Sequence, residues 1–146
     1  MTFFSLFLFV SHYILYFKMN IKSSQTLVKE ALTEVTTISP SQALEKLNKD
    51  ECNLIDIRDA IELEKLGRIE KSINISRGLL EFLIHPDSPF VQNNDLDLEK
   101  ELVLFCAAGG RSALAAKTLK EMGFKKVSHV QGGFGSMSNS GFKVIK

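Results

Sequence analysis

Seven consecutive residues, Cys106-Ala107-Ala108-Gly109-Gly110-Arg111-Ser112, constrain this chain more than any other stretch. Ahead of them Leu102-Val103-Leu104-Phe105 is a short unbroken apolar run, the pattern of a strand covered on both faces. Behind them, Ser112 to Met122 carries apolar residues at 115, 119 and 122, which lie on one stripe of a helix. Strand, small-residue loop and helix start therefore follow one another directly, with cysteine as the first residue of the loop. Such a loop turns successive amide N–H groups toward one centre and forms a nest for an anion. The helix N-terminus adds partial positive charge and Arg111 adds a full one. All three favour a thiolate over a thiol at Cys106. Small apolar filler at a strand end explains a cysteine by itself. It does not explain two glycines and an arginine at these spacings.

Composition narrows the rest. A chain of 146 residues is one domain's worth, long enough for a single hydrophobic core. Its formal net charge of +1 comes without a basic or acidic block, so neither a nucleic-acid surface nor an acidic tail is expected. Cys52 and Cys106 are too few for a disulfide scaffold. A working thiolate needs reducing surroundings, which implies a cytoplasmic location. His12, His85 and His129 are scattered and share no metal-ligand spacing with the cysteines, so no metal is expected.

Residues 1–18 form an apolar extension that differs from everything after it. Five of the chain's eleven phenylalanines fall here, with no charge before Lys18. As a helix this run reaches only ~25 Å, short of a ~30 Å hydrocarbon core. It reads as translated upstream sequence from a misplaced start, with Met19 the ordinary beginning. The alternative is a short membrane anchor on a cytoplasmic domain, so any membrane association rests on residues 1–17. Residues 19–37 read as an N-terminal helical segment, the helix spanning 23–37, and residues 38–146 as the main domain.

Within that domain Ser39-Pro40-Ser41-Gln42 is a helix start, with Ser39 as N-cap, Pro40 at the first position and Gln42 closing a capping box. That helix is expected to run to Asn48. Asn53–Ile57 follows as a strand and Ala60–Leu66 as a helix stopped by Gly67. Asp56 and Arg58 fall at the C-terminal end of that strand, the edge where open parallel sheets bind ligands. They are candidate supporting residues, with a structural ion pair as the alternative. Cys52, ahead of the strand, reads as packing rather than as a resolving thiol. Ile73–Ser76 reads as a strand and Gly78–Ile84 as a short helix. Residues 85–99 are turn chemistry, either a wall of the site or a surface excursion. Lys126–Val130 reads as the last strand, His129 within it as a tucked structural residue, and Phe134–Ser140 as a final helix. Alternating strands and helices imply an α/β fold. Its mostly parallel central sheet would have about five short strands and helices on both faces.

The loop resembles that of the rhodanese (sulfurtransferase) family, which runs Cys-x-x-Gly-x-Arg and then Ser or Thr into a helix. Leu54-Ile55-Asp56-Ile57-Arg58-Asp59 is similar to the family's Asp-Val-Arg-Glu strand end. Ser72-Ile73-Asn74-Ile75-Ser76 resembles its Ala-Ile-Asn-Ile-Pro segment, and Val130-Gln131-Gly132-Gly133-Phe134 its Glu-Gly-Gly-Phe turn. The likeness covers residues 38 to 141 in the family's order. The chain departs from it at Arg68-Ile69-Glu70-Lys71, commonly His-Ile-Pro-Gly, and at Met137, usually tryptophan.

The resemblance implies a rhodanese-like fold and a persulfide mechanism without a cofactor. Cys106 would take a sulfane sulfur from thiosulfate or a persulfide donor and pass it to a thiol, cyanide or a protein partner. Ala107, Ala108, Gly109, Gly110, Arg111 and Ser112 would cradle the charged sulfur, with Arg58 and Arg77 as candidate contributors. The alternatives are a non-catalytic binding module of the same fold, or a cysteine phosphatase. The latter's Cys-x5-Arg spacing exceeds by one the four residues between Cys106 and Arg111.

Overall fold

The strand that delivers the cysteine is the middle of the sheet. The computed structural model describes residues 2–5, 7–8 and 20–146. Most of the apolar extension, and with it the choice between misplaced start and anchor, lies outside the described residues. Among those described, no helix is long and apolar enough to cross a membrane.

In chain order the elements are α1 (Ser24–Leu32), β1 (Thr36–Ile38), α2 (Pro40–Asn48), β2 (Cys52–Asp56) and α3 (Ala60–Leu66). Next come β3 (Arg68–Ile69), β4 (Ile73–Asn74), a 3₁₀ turn (Arg77–Leu79), α4 (Leu80–Leu83) and α5 (Pro89–Gln92). The chain closes with β5 (Glu101–Phe105), α6 (Gly110–Glu121), β6 (Val127–Val130), α7 (Gly133–Met137) and β7 (Val144–Ile145). Five strands form one parallel sheet in the order β1-β6-β5-β2-β4, and β3 pairs with β7 in a separate antiparallel ribbon.

Side chains alternate across this sheet and split the core in two. Ile55, Leu102, Leu104 and Cys106 face the side covered by α4 and α6, with Leu80, Ala115, Ala116 and Leu119. Leu54, Val103, Phe105 and Val130 face Ala43 of α2 and Phe134 and Met137 of α7. Met137, where tryptophan is usual, is fully buried in that second layer.

The chain leaves β2 toward β4 on one side and β5 toward β6 on the other. The strand ends of β2 and β5 therefore flank a topological switch point, where an open α/β sheet has its crevice. Asp56 and Phe105 are register partners there, so Ile57 and Cys106 emerge side by side and Arg58 follows one residue later, on the face of Phe134.

The capping box at Ser39 is present as expected: Gln42 N–H donates to Ser39 Oγ at 3.1 Å, and Ser39 N–H to Gln42 Oε1 at 2.8 Å. The helix expected over 23–37 stops at Leu32, and Thr36–Ile38 is instead an edge strand on β6. The β-branched run Val35-Thr36-Thr37-Ile38 prefers the pleated sheet, although its spacing continues the helical stripe. The boundary drawn after residue 37 therefore runs through a strand. Met122 is 43 % exposed, so the buried face of α6 is Ser112, Ala113, Ala115, Ala116 and Leu119 rather than 115, 119 and 122. Lys126–Val130 is not the last strand, since Val144–Ile145 closes on β3. Between them α7 ends at Met137, short of Ser140.

The 85–99 segment contains α5 and is anchored at the far end of the sheet. Asn53 Nδ2 donates to Asp97 O at 2.7 Å, and Asp97 N–H donates back to Asn53 Oδ1 at 2.9 Å. Asn53 lies near the start of β2, so this anchor is on the opposite edge from Cys106. Of the two readings of the segment, the surface excursion fits this anchor.

Asp56 and Arg58 form a fully buried pair. Arg58 Nε lies 3.0 Å from Asp56 Oδ1, and its Nη2 lies 2.7 Å from Asp56 Oδ2 and 3.0 Å from Gly67 O. The guanidinium also lies over the Phe134 ring at 3.9 Å, tying the end of β2 to α7. Removing one member strands a charge in the core. Arg58→Met is expected to cost about 3–5 kcal/mol in urea unfolding because Asp56 loses its partner; a loss under about 1 kcal/mol would show that the pair is not what holds this corner.

Candidate active site

The loop after β5 is shaped from outside itself. Phe134 N–H donates to Cys106 O at 2.7 Å and Gly135 N–H donates to Ala107 O at 3.2 Å. Both acceptors are turned toward the N-terminal end of α7. In a trans peptide the N–H points opposite to the C=O, and no peptide among the described residues is cis. The N–H groups of Ala107 and Ala108 are therefore turned away from α7. Gly109 takes φ +107 and Gly133 φ +55, values that L side chains resist. At Gly133 a Cβ would overlap the Cys106 carbonyl oxygen and sit 2.9 Å from that of Ala107. Two glycines thus let two backbone segments touch.

Cys106 is 1 % exposed, beneath this loop. Its Sγ accepts from Gly109 N–H at 3.1 Å and Ser112 N–H at 3.4 Å, and lies 3.6 Å from Ser112 Oγ. Of the six loop residues, Gly109 and Ser112 supply these contacts. Among the described residues no protein group accepts the N–H of Ala107, Ala108, Gly110 or Arg111. Helix starts leave such donors unpaired, as at Gly110 and Arg111 in the first turn of α6.

Arg111 does not stand free beside the thiol. Its Nη1 and Nη2 donate to the two carboxylate oxygens of Glu62 at 2.8 and 2.7 Å. Glu62 also accepts from Asp59 N–H at 3.0 Å, at the start of α3. Arg111 above all, with burial opposing, holds the Glu62 carboxyl down to about 2. The loop's one fixed cation is thus largely balanced by a residue that motif reading missed. The signal was present in Asp59-Ala60-Ile61-Glu62, an acidic N-cap followed three residues later by glutamate.

Asp56 and Arg58 stay in their own buried pair. Arg77 binds Glu81 at 2.8 Å and reaches Thr118 Oγ1 at 3.4 Å, so its side chain runs along α4 and α6. Neither arginine touches Cys106. Cys52 opposes Glu101 at the start of the sheet, five residues before Cys106, about 16 Å away at strand spacing. Burial pushes its thiol up to about 11, which suits packing rather than disulfide exchange. His129 is buried and within 3.1 Å of Ser112 Oγ, a placement its strand position did not disclose.

The rhodanese-like domain family matches residues 39–140. The putative sulfurtransferase YtwF of Bacillus subtilis is 37% identical over 101 residues, covering 68% of this chain and 87% of the relative. Thiosulfate sulfurtransferase GlpE of Glaesserella parasuis is 30% identical over 107 residues, covering 73% and 87%. The putative sulfur carrier protein YrkF of Bacillus subtilis is 32% identical, and the chain spans half its length. Among solved structures, a protein of unknown function from Rhodopseudomonas palustris, described as a possible tyrosine phosphatase, superposes with a TM-score of 0.75. It is 36% identical, with 88% of this chain and 98% of that one covered.

Two outcomes test the site geometry. Gly133→Ala is expected to cost about 2 kcal/mol or more in thermal unfolding, from positive φ and overlap with the loop; an unchanged melting curve would refute the close packing. The Glu62 carboxyl sits below its ordinary 4.5 when folded, so its contribution is present above about pH 4.5 and lost as pH falls toward 2. The stability difference between parent and Glu62→Gln is therefore expected to shrink across that window, as followed by melting temperature; a constant difference would count against the ion pair.

Proposed function

The chain belongs to the rhodanese-like domain family and is a rhodanese-type sulfurtransferase, and from this premise we propose that Cys106 carries the transferred sulfur as a persulfide. The observation that carries the proposal is the pair of N–H groups, Gly109 and Ser112, directed at Sγ, with four more loop N–H groups free of protein acceptors. Anionic sulfur is the species that such donors stabilise.

The Cys106 thiolate attacks the sulfane sulfur of the donor. A new S–S bond forms while the donor's S–S bond breaks. Sulfite leaves if the donor is thiosulfate, and a thiolate leaves if it is a persulfide. The outer sulfur now bears the negative charge, and the unpaired N–H groups of Ala107, Ala108, Gly110 and Arg111 are its cradle. An acceptor thiolate or cyanide then attacks the outer sulfur, and Cys106 departs as the thiolate it began as. The cycle needs no resident cofactor. It does need reduced thiols, which supports a cytoplasmic setting.

The Arg111–Glu62 pair bears on the donor. Thiosulfate is a dianion, and the loop's cation is already largely neutralised, so long-range attraction to it is weak. A low-molecular-weight or protein persulfide suits this site at least as well.

The neighbour described as a possible tyrosine phosphatase invites the other reading. Against it, four residues rather than five separate Cys106 from Arg111, giving a ring of donors sized for one sulfur atom rather than a tetrahedral phosphate.

Intact mass after incubation with thiosulfate or a persulfide donor is expected to show one added sulfur on the parent. Cys106→Ser should show none, and should lose thiocyanate release from cyanide by at least about a hundredfold. Equal activity in the two proteins, or aryl phosphate hydrolysis without sulfur uptake, would overturn the proposal.

A further inference from the structure

A buried thiol can become a thiolate only if its proton has somewhere to go. The backbone N–H groups beside Cys106 Sγ can only donate; the group placed to accept its proton is Ser112 Oγ at 3.6 Å, a reach that the size of sulfur permits. Ser112 Oγ lies 3.1 Å from His129 Nδ1, and His129 Nε2 lies 2.7 Å from Thr37 Oγ1. Thr37 sits on edge strand β1 and is exposed. Four side chains, from the loop after β5 and from α6, β6 and β1, thus form a continuous file from the covered sulfur to solvent. Ser112 Oγ also lies 3.1 Å from Gly109 O, so its single proton has a second acceptor when His129 does not take it.

We propose that Ser112, His129 and Thr37 form a proton path out of the active site, in which His129 is a positioning residue acting through Ser112. The proposal rests on Cys106 being the sulfur-carrying thiol. In the thiol state S–H donates to Ser112 Oγ, the serine O–H donates to Nδ1, and Nε2–H donates to Thr37. On ionisation the S–H bond breaks and its proton joins Ser112, whose own proton passes to Nδ1. Nε2 releases its proton to Thr37, whose hydroxyl proton leaves to water. One proton has departed, and every hydrogen bond in the file has reversed. The serine O–H now donates to the thiolate, backed by Nδ1–H, and Thr37 donates to Nε2.

Only an imidazole can accept at one nitrogen while it releases at the other. Burial pushes His129 below its ordinary value, so the ring is neutral and has one N–H and one free lone pair, as the file requires. No neighbouring charge alters this. Arg111 of α6 is committed to Glu62, Lys117 to Glu34, and Lys120 to the Glu34 carbonyl, while Lys29 of α1 is exposed. β1 and β6 present hydroxyls, Thr37 and Ser128, and Ser128 is bound to Glu101.

The pH profile of Cys106 alkylation by iodoacetamide, read by intact mass, tests the path without requiring sulfur transfer. Cys52 stays silent near neutrality because burial holds its thiol up at about 11. His129→Leu is expected to move the midpoint up by about one pH unit, a roughly tenfold slower alkylation below both midpoints. Thr37→Val, at the exposed end, is expected to move it in the same direction. Profiles of parent and folded His129→Leu that superimpose would overturn the proposal. If His129→Leu does not fold, Thr37→Val decides: an upward shift supports the path and a superimposable profile ends it. Failure of the parent to take up sulfur would overturn the persulfide reading instead, and the alkylation comparison would still judge the path.

Discussion

Two backbone hydrogen bonds, from Phe134 and Gly135 to the carbonyls of Cys106 and Ala107, carry the rest of this structure's chemistry. A peptide group that points its oxygen one way must point its hydrogen the other. By occupying the oxygens, the start of α7 decides where the N–H groups of Ala107 and Ala108 go. The contact is possible only because Gly133 lacks a side chain where two backbones meet. The Gly132-Gly133 turn, 26 and 27 residues along the chain from the cysteine, therefore helps shape the Cys106 loop from outside it.

Charge around the loop follows the same economy. Arg58 and Arg111 both stand near the crevice between β2 and β5, and each is matched by a carboxylate. Asp56 pairs with the first in the interior, and Glu62 pairs with the second at the surface. What remains for the anionic sulfur proposed above is an array of neutral amides and a helix start. Such donors are fixed by the fold and need no reorganisation when charge appears. A neutral buried imidazole behind Ser112 fits this scheme, since it can redirect protons without adding a charge of its own.

Several features were legible because local chemistry decides them. Ser39, Pro40 and Gln42 satisfy a helix start from within four residues, and no tertiary contact was needed to place it. Gly67 and Gly123 both take positive φ at helix ends, where glycine is the undemanding choice. Other features were hidden because two local signals disagreed. Val35 and Ile38 continue an apolar helical spacing, yet with Thr36 and Thr37 they make a β-branched run, and pairing with β6 settled the matter. The ribbon of β3 with β7 joins two-residue segments too short to carry any period.

The sequence by itself determined the α/β alternation, the strand-loop-helix unit holding Cys106, and the family. Each of these is written in neighbouring residues whose spacing has few physical meanings. Only the tertiary structure decided which charges are spent, which amides are left unpaired and what stands behind the thiol. Glu62 meets Arg111 and His129 meets Ser112 across separations of 49 and 17 residues. Spacing along a chain holds no record of such meetings, because they depend on which strands the sheet sets side by side.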